Sequence, residues 1–201
     1  MKNIIKTGLL LSFSLALLTS CVNDDETAIP SLKIPFYTEN FDEVDFNEVL
    51  DYENWTNFAE AGTKFWIERE FNDDGYAQFS SFQSGNSSNI GWLISPPIDL
   101  TDKIDVKMSF QSASNFVENS ANKLEVFVSS NYDGTNVLGA TWTKMNANVA
   151  DETTNDYLYV PSGEIDLSAY TGQIHIAFKA TGSNTLSGLF QVDKLNVYTS
   201  K

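Results

Sequence analysis

The chain has 201 residues, with 12 basic side chains against 27 acidic ones and a formal charge of −15. Such a charge repels phosphate backbones, which excludes nucleic acid as a natural partner, and it disfavours docking of the protein surface on anionic lipid. The length suits one principal domain, and 13% aromatic residues supply enough bulk for a packed core.

In chain order, Lys2 and Lys6 form a basic start, and Leu9 to Leu18 follow with little polar interruption. That is the layout of a secretory signal, and the run is shorter than the ~20 apolar residues that span a bilayer. It ends in Leu18-Thr19-Ser20-Cys21, which resembles the lipobox of bacterial lipoproteins. The resemblance implies removal of residues 1–20 and acylation of Cys21, the only cysteine, leaving no thiol for a disulfide or a nucleophile. The acidic run Asp24-Asp25-Glu26 resembles the export signal of surface lipoproteins in Bacteroidetes-type bacteria, and it also reads as a solvated spacer. Residues 21–33 are then a lipidated cysteine and an acidic tether, and 34–201 the body. The expected address is the outer membrane, held by lipid and facing outward. Without residues 1–20 the chain keeps 10 basic and 27 acidic residues, a charge of −17.

The body reads as strands. Val106, Met108 and Phe110 point one way with Asp105, Lys107 and Ser109 opposite; Leu124, Val126 and Val128 repeat this against Glu125 and Phe127, and Ile174, Ile176 and Phe178 against Gln173, His175 and Ala177. Further strands are expected at 34–41, 63–69, 76–82, 90–95, 140–145 and 189–198, with one short helical turn within 43–61. Asp74-Gly75, Ser84-Gly85-Asn86, Pro96-Pro97, Asp133-Gly134, Ser162-Gly163 and Thr171-Gly172 punctuate them as turns. Many short strands between turns predict an all-β, two-sheet antiparallel sandwich. In "LFQVDKLNVY" the apolar phase switches between Val192 and Leu195. Either a β-bulge near Asp193-Lys194 restores one buried face, or the strand is buried on both faces there or ends early.

The ordered blocks "ENFDEV", "GWLISPPIDLT", "LEVFVSSNYDGT", "ATWTKM", "SGEIDLSAYTGQIHIAFKATGS" and "FQVDKLNV" resemble choice-of-anchor J domains over residues 34–199. These are jelly-roll modules, related in architecture to cleaved adhesin and MAM-type domains. The resemblance implies a jelly roll with a non-catalytic recognition, adhesion or accessory role. Lys194 stands where the family usually has asparagine, and Ala180 where it often has an aromatic residue.

The resemblance also implies a structural Ca²⁺ between the first and last strands. Its candidate ligands are Asp193 and an acid among Glu39, Asp42 and Glu43, because calcium takes 6–8 oxygens. Solvated surface acids are the competing reading. Asn72-Asp73-Asp74-Gly75 and Asn131-Tyr132-Asp133-Gly134 lack EF-hand spacing and read as turns. His175, the single histidine, cannot build a histidine-rich zinc site, and no G-x-S-x-G elbow accompanies it. Nor does any carboxylate pair stand out for glycoside hydrolysis.

Sugar-binding sheets present aromatic faces to apolar sugar patches. Trp66, on the same side as Lys64 and Glu68, Phe127, on the polar side of its strand, and His175 are the candidate ligand contacts; core packing is the alternative for each aromatic. The expected partner is a glycan or a surface protein. The competing role is an accessory subunit packed on a larger outer-membrane protein. A glycan site should be a groove with aromatics and amides, and a partner site a flatter apolar patch.

Overall fold

A computed structural model describes residues 33–199. The signal segment, Cys21 and nearly all of the tether lie outside the described residues. The strands are β1 (Ile34–Glu39), β2 (Thr56–Ala61), β3 (Ile67–Phe71), β4 (Asp74–Ser80), β5 (Asn89–Ile94), β6 (Ile98–Asp99) and β7 (Val106–Asn115). They continue with β8 (Lys123–Ser129), β9 (Thr143–Lys144), β10 (Val160–Pro161), β11 (Ile165–Asp166), β12 (Gln173–Gly182) and β13 (Leu189–Thr199). They form two antiparallel sheets packed as a jelly-roll β-sandwich. The first runs β10-β7-β13-β4-β3, with β1 also on β13 and β11 also on β7. The second runs β2-β5-β12-β8-β9, with β6 also on β12. Among the described residues no helix is long and apolar enough to cross a membrane.

The three clearest alternations give inner faces as expected. Met108 and Phe110 of the first sheet meet Val126, Ile176 and Phe178 of the second in one buried cluster. Phe110 and Phe178 meet edge to face with ring centroids 5.0 Å apart, the arrangement that aromatic quadrupoles favour. Their alternate neighbours, including Lys107, Glu125 and Lys179, lie on the outer faces, only partly buried.

The phase switch in the last strand is a bulge. β13 pairs with β7 in register to Asp193, shifts, and resumes at Asn196, while Lys194 takes a φ of 53°. The inserted residue lets Val192 and Leu195 both face the core while Asp193 stays on the outer side.

Two expectations need correction. Thr56–Ala61, inside the stretch expected to hold a helical turn, is strand β2, paired with β5. Trp66 is not on an outer face: it is fully buried, with its indole N–H donating to the Gly91 carbonyl at 3.2 Å and its ring 5.7 Å from Phe79. Its expected orientation leaned on Glu68 marking the wet side. Glu68 is itself buried, because its carboxylate accepts from the Asp45 N–H and its N–H donates to the Glu48 carbonyl, so the 45–48 segment covers it. Gly91 makes the Trp66 position workable. A Cβ there would lie 2.3 Å from the Phe79 ring, so only glycine lets that ring fill the space beside the indole.

Candidate ligand-binding groove

Three neighbouring pieces of chain raise side chains on the outer face of the first sheet. In β4, Tyr76 and Gln78 alternate with the buried Ala77 and Phe79. In β13, Gln191 lies directly opposite Gln78 in register. The segment leading into β10 runs along the free edge of β7, where the Tyr157 N–H donates to the Ser114 carbonyl. Together with Arg69 and Phe71 of β3, Tyr76, Gln78, Gln191, Tyr157 and Tyr159 line a groove of about 770 Å³.

The floor of this groove is an amide pair. Gln191 Nε2 donates to Gln78 Oε1 at 3.1 Å, and both residues are buried. Each carboxamide has further donor or acceptor capacity beyond this one bond. The walls are aromatic. Phe71 is 70% exposed and Tyr157 53%, so their ring faces are available to a ligand. Tyr157 also holds a φ of 59°, a left-handed backbone that is costly for a bulky side chain. Such strain tends to gather at ligand clamps, where the surroundings enforce it. Burial pushes the Tyr159 hydroxyl well above the usual phenol range, and the Asp193 carboxylate adds to this. Tyr159 therefore stays a neutral donor at any physiological pH. The Arg69 guanidinium lies over the Phe46 ring at 4.6 Å and its Nη1 donates to Asn47, while its buried Nε has no partner among the described residues.

A charge network around one buried carboxylate borders the groove. Asp193 is fully buried and accepts from Gln111 Nε2 at 2.8 Å and from the Lys194 N–H at 2.6 Å. Lys194 Nζ reaches both Asp193 at 3.3 Å and Asp74 at 3.0 Å. Burial pushes the Asp193 carboxyl up, and Gln111 and Lys194 partly restrain it.

The acids expected to hold calcium do not converge. The premise about topology holds, since β1 and β13 are neighbours with Glu39 opposite Leu195. Yet Glu39 accepts from the Phe41 N–H at 2.8 Å and from the Trp55 indole at 3.2 Å, and Asp42 accepts from the Gly75 N–H at 3.3 Å. Glu43 is exposed, and Asp193 is balanced by an ammonium group. Among the described residues no three carboxylate, histidine or cysteine side chains gather as a metal site. The donor set does not fit a shared Ca²⁺, because Lys194 places a cation where the ion would need oxygen.

Phe127 and His175 share the outer face of the second sheet, on diagonally related positions of β8 and β12. Trp66 does not join them. Phe127 is half-buried against Trp92, with ring centroids 5.4 Å apart. His175 bonds through Nδ1 to the Ser95 carbonyl at 2.8 Å and meets Tyr132 edge-on. It lines a cleft of about 530 Å³ with Gln173, Trp55 and Asp133.

The groove residues were missed by sequence reasoning. A signal for two of them exists in "DGYAQFS", where Tyr76 and Gln78 share the phase opposite the apolar one. Nothing local says that Gln191, 113 positions away, lies beside Gln78.

No family model matches the sequence, and no curated protein matches it either. Solved structures do. The K1 cleaved adhesin domain of Lys-gingipain from Porphyromonas gingivalis W83 matches with a TM-score of 0.53 at 15% identity, over 82% of this chain and 98% of that one. The K3 cleaved adhesin domain from the same strain gives 0.54 at 13% identity, over 83% and 100%. TmCBM27, a carbohydrate-binding module described for specific mannan recognition, gives 0.52 at 12% identity, over 85% and 100%. At these identities the likeness is one of fold, and the shared fold is an adhesin-like jelly-roll β-sandwich.

Proposed function

We propose that the protein is a non-catalytic recognition module whose first-sheet groove binds a neutral glycan, displayed at the outer face of a bacterial outer membrane by lipid on Cys21. The observation that carries this reading is the groove itself: three tyrosines and an exposed phenylalanine around a buried amide pair. Ring faces stack on the C–H patches of a sugar, while carboxamides and phenol groups exchange hydrogen bonds with its hydroxyls. A charge of −17 on the body and tether argues for a neutral sugar over an anionic one. Two carboxylates at the groove, Asp74 and Asp193, are tied to Lys194 rather than poised as an acid–base pair, which supports binding without catalysis. Adhesin and mannan-recognising modules share the fold, and this agrees with the reading without establishing it.

A screen of immobilised glycans with the soluble body tests the proposal. Binding should fall about tenfold in Tyr76→Ala and in Tyr159→Ala, measured well below the melting temperature of each variant. Absence of binding to every glycan, together with a copurifying outer-membrane protein, would overturn it in favour of an accessory subunit. For the anchor, Cys21→Ser should move the protein from the membrane to the soluble fraction.

A further inference from the structure

A second cavity of about 560 Å³ lies at the loop end of the same sheet face. It begins where the tyrosine groove stops. Gln78 and Gln191 line the groove, and the next same-face residues along their strands, Ser80 and Leu189, line this cavity. Ser80 and Leu189 are themselves paired in register. Same-face residues of one strand are roughly 7 Å apart, so the two cavities are consecutive stretches of one trough.

The two stretches differ chemically. The walls of the loop-end cavity are apolar, with Phe82 59% exposed, Phe116 64% and Leu186 42%. Phe116 is held outward by a left-handed φ of 56°. Polar side chains also line it, among them Ser80, Glu118, Asn119, Thr185 and Ser187, and one more is set apart by its burial. Asn122 lines the cavity, is 97% buried, and its Nδ2 has no hydrogen-bond partner among the described residues. Its carboxamide is wedged between two glycines, since Cβ atoms built at Gly182 and Gly188 would each lie 3.4 Å from it. Rotation about a terminal sp³–sp² torsion is soft, so the NH₂ can turn toward a ligand without giving up a bond. A buried donor with no partner is costly to the fold, and an incoming acceptor would recover that cost.

We infer that this loop-end cavity is an acetamido subsite, so that the trough selects glycans carrying an N-acetylated sugar at one end. An acetamido group offers a methyl for the Phe82–Phe116–Leu186 wall and a neutral carbonyl for Asn122. The exposed carboxylate of Glu118 at the rim turns away carboxylate or phosphate acceptors. A peptide carbonyl has similar chemistry, and continuity with the tyrosine groove through the paired Ser80 and Leu189 favours the sugar. The assignment rests on the glycan reading of the tyrosine groove and extends it.

The test compares chitotriose with cellotriose by calorimetry, and follows the Asn122 side-chain NH₂ by ¹⁵N NMR during titration with N-acetylglucosamine, with glucose as control. Chitotriose should bind about tenfold more tightly, a size typical of one complementary group. Phe116→Ser and Leu186→Ser, both on exposed positions, should erase that preference and leave cellotriose affinity unchanged. The Asn122 resonance should move with N-acetylglucosamine and stay still with glucose. Equal affinity for the two trisaccharides, or a silent Asn122 resonance, overturns the subsite even where Tyr76-dependent glycan binding is found. An Asn122 response without any Tyr76-dependent binding instead overturns the groove and keeps the subsite. A stronger response to an N-acetylated dipeptide than to the sugar overturns the glycan assignment.

Discussion

On the outer face of the second sheet, Trp92, Phe127, Tyr132 and Trp142 stack ring to ring with centroids 5.3–5.5 Å apart. The segment between β8 and β9 folds over them: Tyr132 and Val137 are buried there, and the Trp142 indole donates to the Val137 carbonyl at 2.8 Å. On the outer face of the first sheet, tyrosines surround a groove and an amide pair instead. Both faces are rich in aromatic residues, and the most exposed of these rings, Phe71 and Tyr157, belong to the first. The loop decides. Aromatic side chains facing away from the main core make a second, smaller core when a loop closes on them, and a binding surface when it does not.

The largest expected effect lies outside both faces. Trp66→Ala removes a fully buried indole from the main core and should cost about 3–5 kcal/mol, lowering the melting temperature by roughly 10 °C. A melting temperature within 2 or 3 degrees of wild type (roughly 1 kcal/mol for this size) would show the indole to be dispensable. Trp142→Ala sharpens the comparison directly. It opens the cover of the second face, and should cost about 1–3 kcal/mol while leaving glycan affinity intact. Should Trp142→Ala abolish binding and Tyr76→Ala spare it, the roles of the two faces are reversed.

The smallest effect concerns the network beside the groove. Lys194→Met removes the ammonium near the buried Asp193, and should cost about 1–2 kcal/mol at pH 7, a modest value because the lysine is half exposed. The pH dependence has a definite sign. Asp193 is raised in the folded state, so the protonated carboxyl favours the fold. That contribution is complete below the unfolded carboxyl range, near pH 4, and is lost as pH rises through the folded value. The variant should therefore recover stability relative to wild type in denaturant titrations as the pH is lowered toward 4. Asp193→Asn in the same background should restore the loss at pH 7; failure of both would detach Lys194 from Asp193.

Much of the sandwich was legible because strand alternation is local. Val106 to Phe110, Leu124 to Val128 and Ile174 to Phe178 each carry their face in five residues, and the Val192-to-Leu195 phase change marks the bulge. Trp66 was misread because a buried Glu68 mimics a solvent-facing residue, and the bonds that bury it come from a loop about twenty residues earlier. The calcium acids came from the family resemblance and from proximity of the strands, which holds, without the partners that occupy Glu39, Asp42 and Asp193. The groove was illegible because it requires β4, β13 and the segment before β10 to meet, and nothing within any one of them specifies the other two.

β13 is bonded to β1, β4 and β7 and lies in the interior of its sheet. A ribosome delivers those three strands long before the fourth, so their edges wait without a mate while the intervening residues are made. Completion of that sheet thus waits for the C-terminal strand, whose arrival gives all three edges a mate at once.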